Sequence, residues 1–226
     1  MKYIIGNWKS HKTRSEIIDW VTVWKLNSMM IAQEGIQIVI CPTLLGLPIL
    51  NELLPTLRLG AQSVSPYGDG SYTGAVSARL IKEYAQFALL GHVERRTHFG
   101  ETDQIIAAQV VQAVDNNLIP IVAVSDQNWA SQLDQFDREQ LQKMLVMYEP
   151  PEAISIAGAG HAADLESVKK AAQLIQNNYQ VKGVLYGGSV SAENVSQYME
   201  QPEIAGVVPG AASLDVASFI QLITAV

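Results

Sequence analysis

Five polar residues stand at the ends of short apolar runs. Asn7 and Lys9 follow Tyr3-Ile-Ile-Gly6, His92 and Glu94 follow Phe87-Ala-Leu-Leu-Gly91, and Glu149 follows Leu145-Val-Met-Tyr148. Two further runs end in glycine-containing turns, Gly187-Gly-Ser189 and Gly210-Ala211. A carboxylate can take up a proton, an imidazole can polarise a carbonyl, and a lysine supplies a cation. Turn amides made accessible by glycine can surround a phosphate. The set suits acid–base work on a small phosphorylated substrate. Taken singly these residues say less, since a strand-end Glu or Lys is ordinarily a solvated charge and a lone His is usually structural.

The elements that must hold them follow from the alternation of short β-branched runs with longer amphipathic ones, the pattern of βα units on a parallel sheet. Eight strands are predicted: Tyr3-Asn7, Gln37-Cys41, Leu59-Gln62, Phe87-Gly91, Pro120-Val124, Leu145-Glu149, Val184-Gly187 and Gly206-Pro209. Most are continuously apolar, as strands covered on both faces must be. Ile105, Ala108, Val111 and Val114 recur at helical spacing. Thr102 and Asp164 are expected helix caps, and Ser191-Ala-Glu-Asn194 is expected to open another helix. Between Ser125 and Gln142 the density of Gln, Asp and Asn allows only short helices. No linker or composition break interrupts residues 1–226, so the expected architecture is an α/β fold, a single-domain (β/α)₈ barrel. In such barrels the functional residues lie just after the strands, where these polar residues fall. Trp8 between Asn7 and Lys9 implies alternation, with the two polar side chains on one side of the chain.

Composition narrows the partners. Of 226 residues, 48% are hydrophobic, enough for a sizeable core. Fifteen Lys+Arg against 22 Asp+Glu leave a net charge of -7, which argues against a nucleic-acid or anionic-membrane surface. An anionic ligand must then be held by a local site. Cys41 is the single cysteine, so an intrachain disulfide is excluded. No apolar stretch reaches the length of a membrane span or a signal h-region, and a soluble cytoplasmic protein is expected. His11, His98 and His161 lack partners at metal-ligand spacing, so no metal is expected.

At the polar residues a resemblance becomes specific. Gly6-Asn-Trp-Lys9, Gly60-Ala-Gln-Ser-Val-Ser-Pro-Tyr-Gly68, Tyr72-Thr-Gly74, Gly91-His-Val-Glu-Arg-Arg96, Phe99-Gly-Glu-Thr102, Tyr148-Glu-Pro150, Tyr186-Gly-Gly-Ser-Val190 and Ala212-Ser-Leu-Asp215 resemble, in order, the signature blocks of the triosephosphate isomerase family. The resemblance implies interconversion of dihydroxyacetone phosphate and glyceraldehyde 3-phosphate through an enediolate, without a cofactor. It implies Glu149 as the base moving a proton between C1 and C2, and a neutral His92 as the electrophile. It implies Lys9 and Asn7 beside the developing negative charge, with Glu94 as partner of Lys9. Gly188, Ser189, Gly210 and Ala211 would cradle the phosphate, and Ser155 falls in the family's substrate-covering lid. Arg95, Arg96 and Glu101 match structural ion-pair positions. Thr73-Gly74 matches a loop that inserts into a neighbouring subunit, which implies a homodimer, with a tetramer as the alternative.

Four departures modify this picture. Pro150-Pro-Glu-Ala-Ile-Ser-Ile-Ala157 replaces the family's Pro-Val-Trp-Ala-Ile-Gly-Thr-Gly, so a lid with a weaker phosphate grip is expected. Val93 stands where the family has a serine that could hold the resting base, and a poorly anchored Glu149 is expected from its loss. Ala123 and Ser125-Asp126 replace Cys and Gly-Glu, and Ser10-His11 replace Met-Asn. A phosphate-binding paralogue with weak or no turnover is the alternative function.

Overall fold

The structure is a computed structural model that describes residues 1–31, 33–150 and 162–226. Eight parallel strands close into a barrel in sequence order: β1 Lys2–Asn7, β2 Ile36–Cys41, β3 Arg58–Ala61, β4 Phe87–Leu90, β5 Ile119–Val124, β6 Leu145–Tyr148, β7 Gly183–Tyr186 and β8 Gly206–Val207. Each lies within two residues of its expected position at either end. The helices of the first half are α1 Arg14–Leu26, α2 Ser28–Ile31, α3 Gly46–Leu53, α4 Ala78–Ile81, α5 Val93–Phe99 and α6 Asp103–Asp115. Those of the second half are α7 Trp129–Leu133, α8 Arg138–Lys143, α9 Leu165–Tyr179, α10 Val195–Met199, α11 Ala211–Leu214 and α12 Val216–Thr224. This is the expected single-domain (β/α)₈ barrel, and α7 and α8 are the short helices expected between Ser125 and Gln142. Among the described residues no helix is long and apolar enough to cross a membrane.

Why continuously apolar strands were required is visible in the two cores. Tyr3, Ile5, Val39, Phe87, Leu89, Ile121, Leu145, Met147 and Leu185 fill the barrel interior, while alternate residues such as Ile4, Ile40, Val122, Val146 and Val184 pack outward against helices. Two-residue alternation carries the inward row onward to Asn7 after Ile5 and to Glu149 after Met147. Both therefore end at the mouth of the barrel. The helix caps at Thr102 and Asp164 form as expected, their side chains accepting from Ile105 N and Ser167 N. Ser191 differs. Its N–H donates to Asn194 Oδ1, so residues 191–194 make a turn and α10 starts only at Val195.

Barrel closure depends on one glycine. Gly206 of β8 faces Tyr3 of β1, and a Cβ at residue 206 would lie 2.1 Å from the Tyr3 carbonyl oxygen and 2.7 Å from its nitrogen. Neither backbone atom can yield without opening the β1–β8 pairing. Gly206→Ala is expected to destabilise by about 3 kcal/mol or more, at or beyond the usual range for overpacking. Urea denaturation checks this, and a loss below about 1 kcal/mol would show that the strand pair can shift apart cheaply.

Candidate active site

Asn7 reaches the site by alternation along β1, whereas Lys9 reaches it by a change of backbone. The strand ends at Asn7, and Lys9 adopts a left-handed conformation with φ 50°. Asn7 Oδ1 accepts the Lys9 N–H at 3.0 Å, which helps hold this conformation. Gln62, just past β3, donates its Nε2 to both Lys9 O at 2.8 Å and Cys41 O at 2.9 Å. Trp8 still points outward, buried, with its indole N–H on Ser213 O. The Lys9 side chain thereby enters the barrel mouth. Its Nζ lies 2.6 Å from Glu94 Oε1, and its Cε would be 3.5 Å from a Cβ at Gly210.

His92 caps α5. Its Nδ1 accepts the Glu94 N–H at 3.3 Å, an arrangement open only to a ring unprotonated at that nitrogen, and this directs the hydrogen to Nε2. Nε2 lies 3.2 Å from Glu149 Oε1, with the two side chains only 8% and 10% exposed. Glu149 is thus held by His92, and the loose carboxylate expected from Val93 is not found. The lost serine hydroxyl at residue 93 left the base to find another partner, and barrel closure brings the imidazole within reach. Glu149 N–H also donates to Val124 O at 2.8 Å.

Burial works to lower the His92 pKa, but the Glu149 carboxylate beside it, with Glu94 behind, outweighs burial and leaves the pKa above its ordinary value. The sign is definite: a raised histidine contributes stability that is complete below its unfolded pKa and is lost as pH rises through the folded one. Glu149→Gln removes the largest raising influence. The imidazole is then expected to titrate at lower pH than in the parent, which NMR of the ring nuclei would read. An unchanged or higher value would mean that Glu149 does not govern this ring. Glu94, about half buried, has its own pKa lowered: burial opposes this, but Lys9 and His92 prevail.

Around the rest of the rim, Gly187 abuts the base, since a Cβ there would be 3.0 Å from Glu149 Cγ. A Cβ at residue 188 would lie 2.4 Å from Tyr186 Oη, so any larger residue there requires the buried Tyr186 ring to shift. Ser189 is half-buried, and its carbonyl accepts from Asn194 Nδ2 at 3.0 Å. Gly210 precedes α11 and no side chain caps that helix, while Ala211 is exposed at its first position. Tyr148 Oη donates to Asp126 Oδ1 at 2.8 Å, tying the end of β6 to the loop after β5. The lid expectations on Ser155, Ile156 and Ala157 fall outside the described residues, as does His161.

Asn7, Lys9, His92 and Glu94 line one cavity of about 650 Å³ that extends beneath the loop after β3 to Arg95, Glu101 and Gln109. Arg95 Nε meets Glu101 Oε1 at 2.6 Å, and Arg96 is bonded to Asp103 at 2.7 Å and to Gln132. The sequence reading did not single out Gln62 as a support of Lys9 or Tyr148 as a support of the base. Gln62 carried one available signal, a polar side chain immediately after a buried strand. Among the described residues no group of three or more His, Cys, Asp or Glu could hold a metal ion.

A cation, an oriented imidazole N–H and a carboxylate thus converge beside two glycine turns. The family model of triosephosphate isomerase matches residues 2–226. The triosephosphate isomerase of Synechocystis sp. is 35% identical over 238 residues, covering 97% of this chain and 96% of the relative. That of Dehalococcoides mccartyi is 34% identical over 242 residues, covering 97% and 94%. The Mesomycoplasma hyorhinis enzyme is 32% identical over 239 residues, covering 98% and 97%. With the family match running almost end to end over a closed eight-stranded barrel, this chain belongs to the triosephosphate isomerase family.

Proposed function

We propose that the protein interconverts dihydroxyacetone phosphate and D-glyceraldehyde 3-phosphate, with Glu149 as base. The observation that carries this is the buried Glu149–His92 pair, which sets a proton acceptor and a carbonyl-polarising N–H 3.2 Å apart at the barrel mouth. In this reading the substrate carbonyl takes the place of the Glu149 oxygen on His92 Nε2. Glu149 then removes a proton from one carbon and returns it to the neighbouring one. Lys9 and Asn7 stabilise the negative charge that develops on oxygen. Ser189 and the amides of Gly188, Gly210 and Ala211 receive the phosphate, with Ser155 joining from the lid. A phosphate-binding module would need no base. A coupled isomerase assay in both directions tests the proposal, and an inactive protein that still binds the triose phosphate would favour that module.

Closure of all eight strands supports reading residues 1–226 as one domain. A homodimer is the assembly we favour. Residues 67–75 of the loop after β3 are all exposed, Tyr67 stacks on Tyr72 at 4.4 Å, and Leu44, Leu45 and Phe99 are exposed nearby. Glu101 Oε2 and Gln109 Oε1, in buried side chains of the cavity wall, have no hydrogen-bond partner among the described residues. A second copy covering this face would bury the apolar side chains and could supply donors. Light scattering at micromolar concentration is expected to give twice the 24.7 kDa chain mass. A fully active monomer would overturn the proposed assembly, and a mass four times that of the chain would point to a tetramer. A single cysteine, with no partner for an intrachain disulfide, supports a reducing cytoplasmic setting.

A further inference from the structure

Lys9 and the Gly210–Ala211 turn come from opposite ends of the chain, and the β1–β8 ladder stops short of both. It pairs only Tyr3 with Gly206 and Ile4 with Val207. One further bond, from Asn7 N–H to Pro209 O at 3.0 Å, joins the strand ends. The backbone of Lys9 is held by Asn7 and by Gln62 beyond β3, not from the β8 side. Past the Asn7–Pro209 bond, the spacing between lysine and turn is left to side chains.

Trp8 spans that gap. Its backbone N–H is fixed on Cys41 O at 3.0 Å, its side chain is wholly buried, and its indole Nε1–H donates to Ser213 O at 3.1 Å. Ser213, equally buried in α11, passes the link on. Its N–H and its Oγ donate to Gly210 O at 2.9 and 2.6 Å. The Gly210 carbonyl belongs to the same planar trans peptide as the Ala211 N–H, so holding the oxygen toward Ser213 aims that N–H the opposite way. The indole itself is pinned. Trp20 meets it edge-on with ring centroids 5.2 Å apart, and Lys12 Nζ lies 5.2 Å from its centroid, within cation–π range. Lys12 is left-handed at φ 76°, a conformation that long side chains keep only where the surroundings impose it. Its ammonium is attracted by Glu16 of α1 and by Asp215 beyond α11.

We propose that Trp8 and Ser213 are positioning residues for the phosphate: their relay of hydrogen bonds fixes the Ala211 amide relative to the Lys9 ammonium and so sets how tightly the phosphate is gripped. Neither residue touches the substrate, since both are buried behind the turn. The inference rests on the proposed isomerisation and on the amides of Gly210 and Ala211 receiving the phosphate.

Trp8→Phe keeps an aromatic ring in the core but deletes the N–H to Ser213 O, and Ser213→Ala deletes only the hydroxyl bond to Gly210 O. Inorganic phosphate, titrated calorimetrically, is the probe. In each variant its Kd and the KM for glyceraldehyde 3-phosphate are expected to rise roughly fivefold, the scale of one hydrogen bond. The kcat/KM for D-glyceraldehyde, which has the same reacting carbons and no phosphate, should stay within about twofold of the parent. General damage to the site would instead weaken both substrates alike. Equal losses on the two substrates, or an unchanged phosphate Kd in both variants, would overturn the proposal. Should Trp8→Phe fail to fold, the same readouts on Ser213→Ala decide it. A parent protein that binds phosphate but isomerises neither sugar would overturn the isomerase reading, and the phosphate Kd would still judge the relay. A parent that binds no phosphate would overturn the cradle and this inference together.

Discussion

Replacing Glu149 with glutamine is expected to lower kcat by roughly 10²- to 10⁴-fold, the span usual for a positioned general base. The change is nearly isosteric, and the new side-chain carbonyl can still accept from His92 Nε2, so the fold and the orientation of the ring should survive. What disappears is the ability to take a proton from carbon at neutral pH. KM should change far less than kcat, because Lys9 and the glycine turns proposed to receive the phosphate are untouched. In free-energy terms the loss is about 3 to 5 kcal/mol of transition-state stabilisation, at 1.36 kcal/mol per factor of ten. Steady-state kinetics on variant preparations free of parent enzyme would check it. If kcat fell less than tenfold, another group would be acting as base and the reading of the site would have to be rebuilt.

Lys9→Met should reduce kcat/KM by roughly 10²- to 10³-fold, as expected when a cation directed at developing negative charge is removed. Methionine keeps much of the aliphatic stem beside Gly210, and the left-handed backbone is held independently by Asn7 Oδ1 and Gln62 Nε2. The variant leaves Glu94 without its cation, but that side chain is 40% exposed and can be solvated, so little stability should be lost. The expected signature is therefore a large kinetic loss with a Tm shifted by no more than a few degrees. A large drop in Tm would show that Lys9 mainly holds the barrel mouth together, and an almost unchanged kcat/KM would remove it from the mechanism. Comparing its effect on KM with that of Glu149→Gln separates phosphate attraction, shared by ground and transition states, from stabilisation of the enediolate alone.

The residues by themselves determined the eight strands and the polar groups that follow β1, β4 and β6. Leu145-Val-Met-Tyr148 and Phe87-Ala-Leu-Leu90 are continuously apolar because both faces are covered, and a short run of that kind bounded by polar residues is readable without knowing its neighbours. The caps at Thr102 and Asp164 were legible for a similar reason, since a cap is a local bond between a side chain and an amide three residues on. Ser191 was misread because Asn194 competes locally for the same backbone and forms a turn first. The positions of Glu149 and Lys9 just past their strands could likewise be read in one dimension.

Tertiary structure decided how those groups meet. No spacing along the chain announces that His92 Nε2 holds Glu149, since β5 lies between the strands that carry them and the pair meets only across the mouth of the closed barrel. Val93 suggested a loose base. The curvature of the sheet supplied an imidazole in place of the hydroxyl. Lys9 was expected to continue the alternation of its strand. It turns left-handed instead, with Asn7 at the end of β1 and Gln62 just past β3 both bonded to its backbone. The strands are local consequences of burying apolar surface, whereas the active site is a property of which strand ends closure brings within a few ångströms of one another.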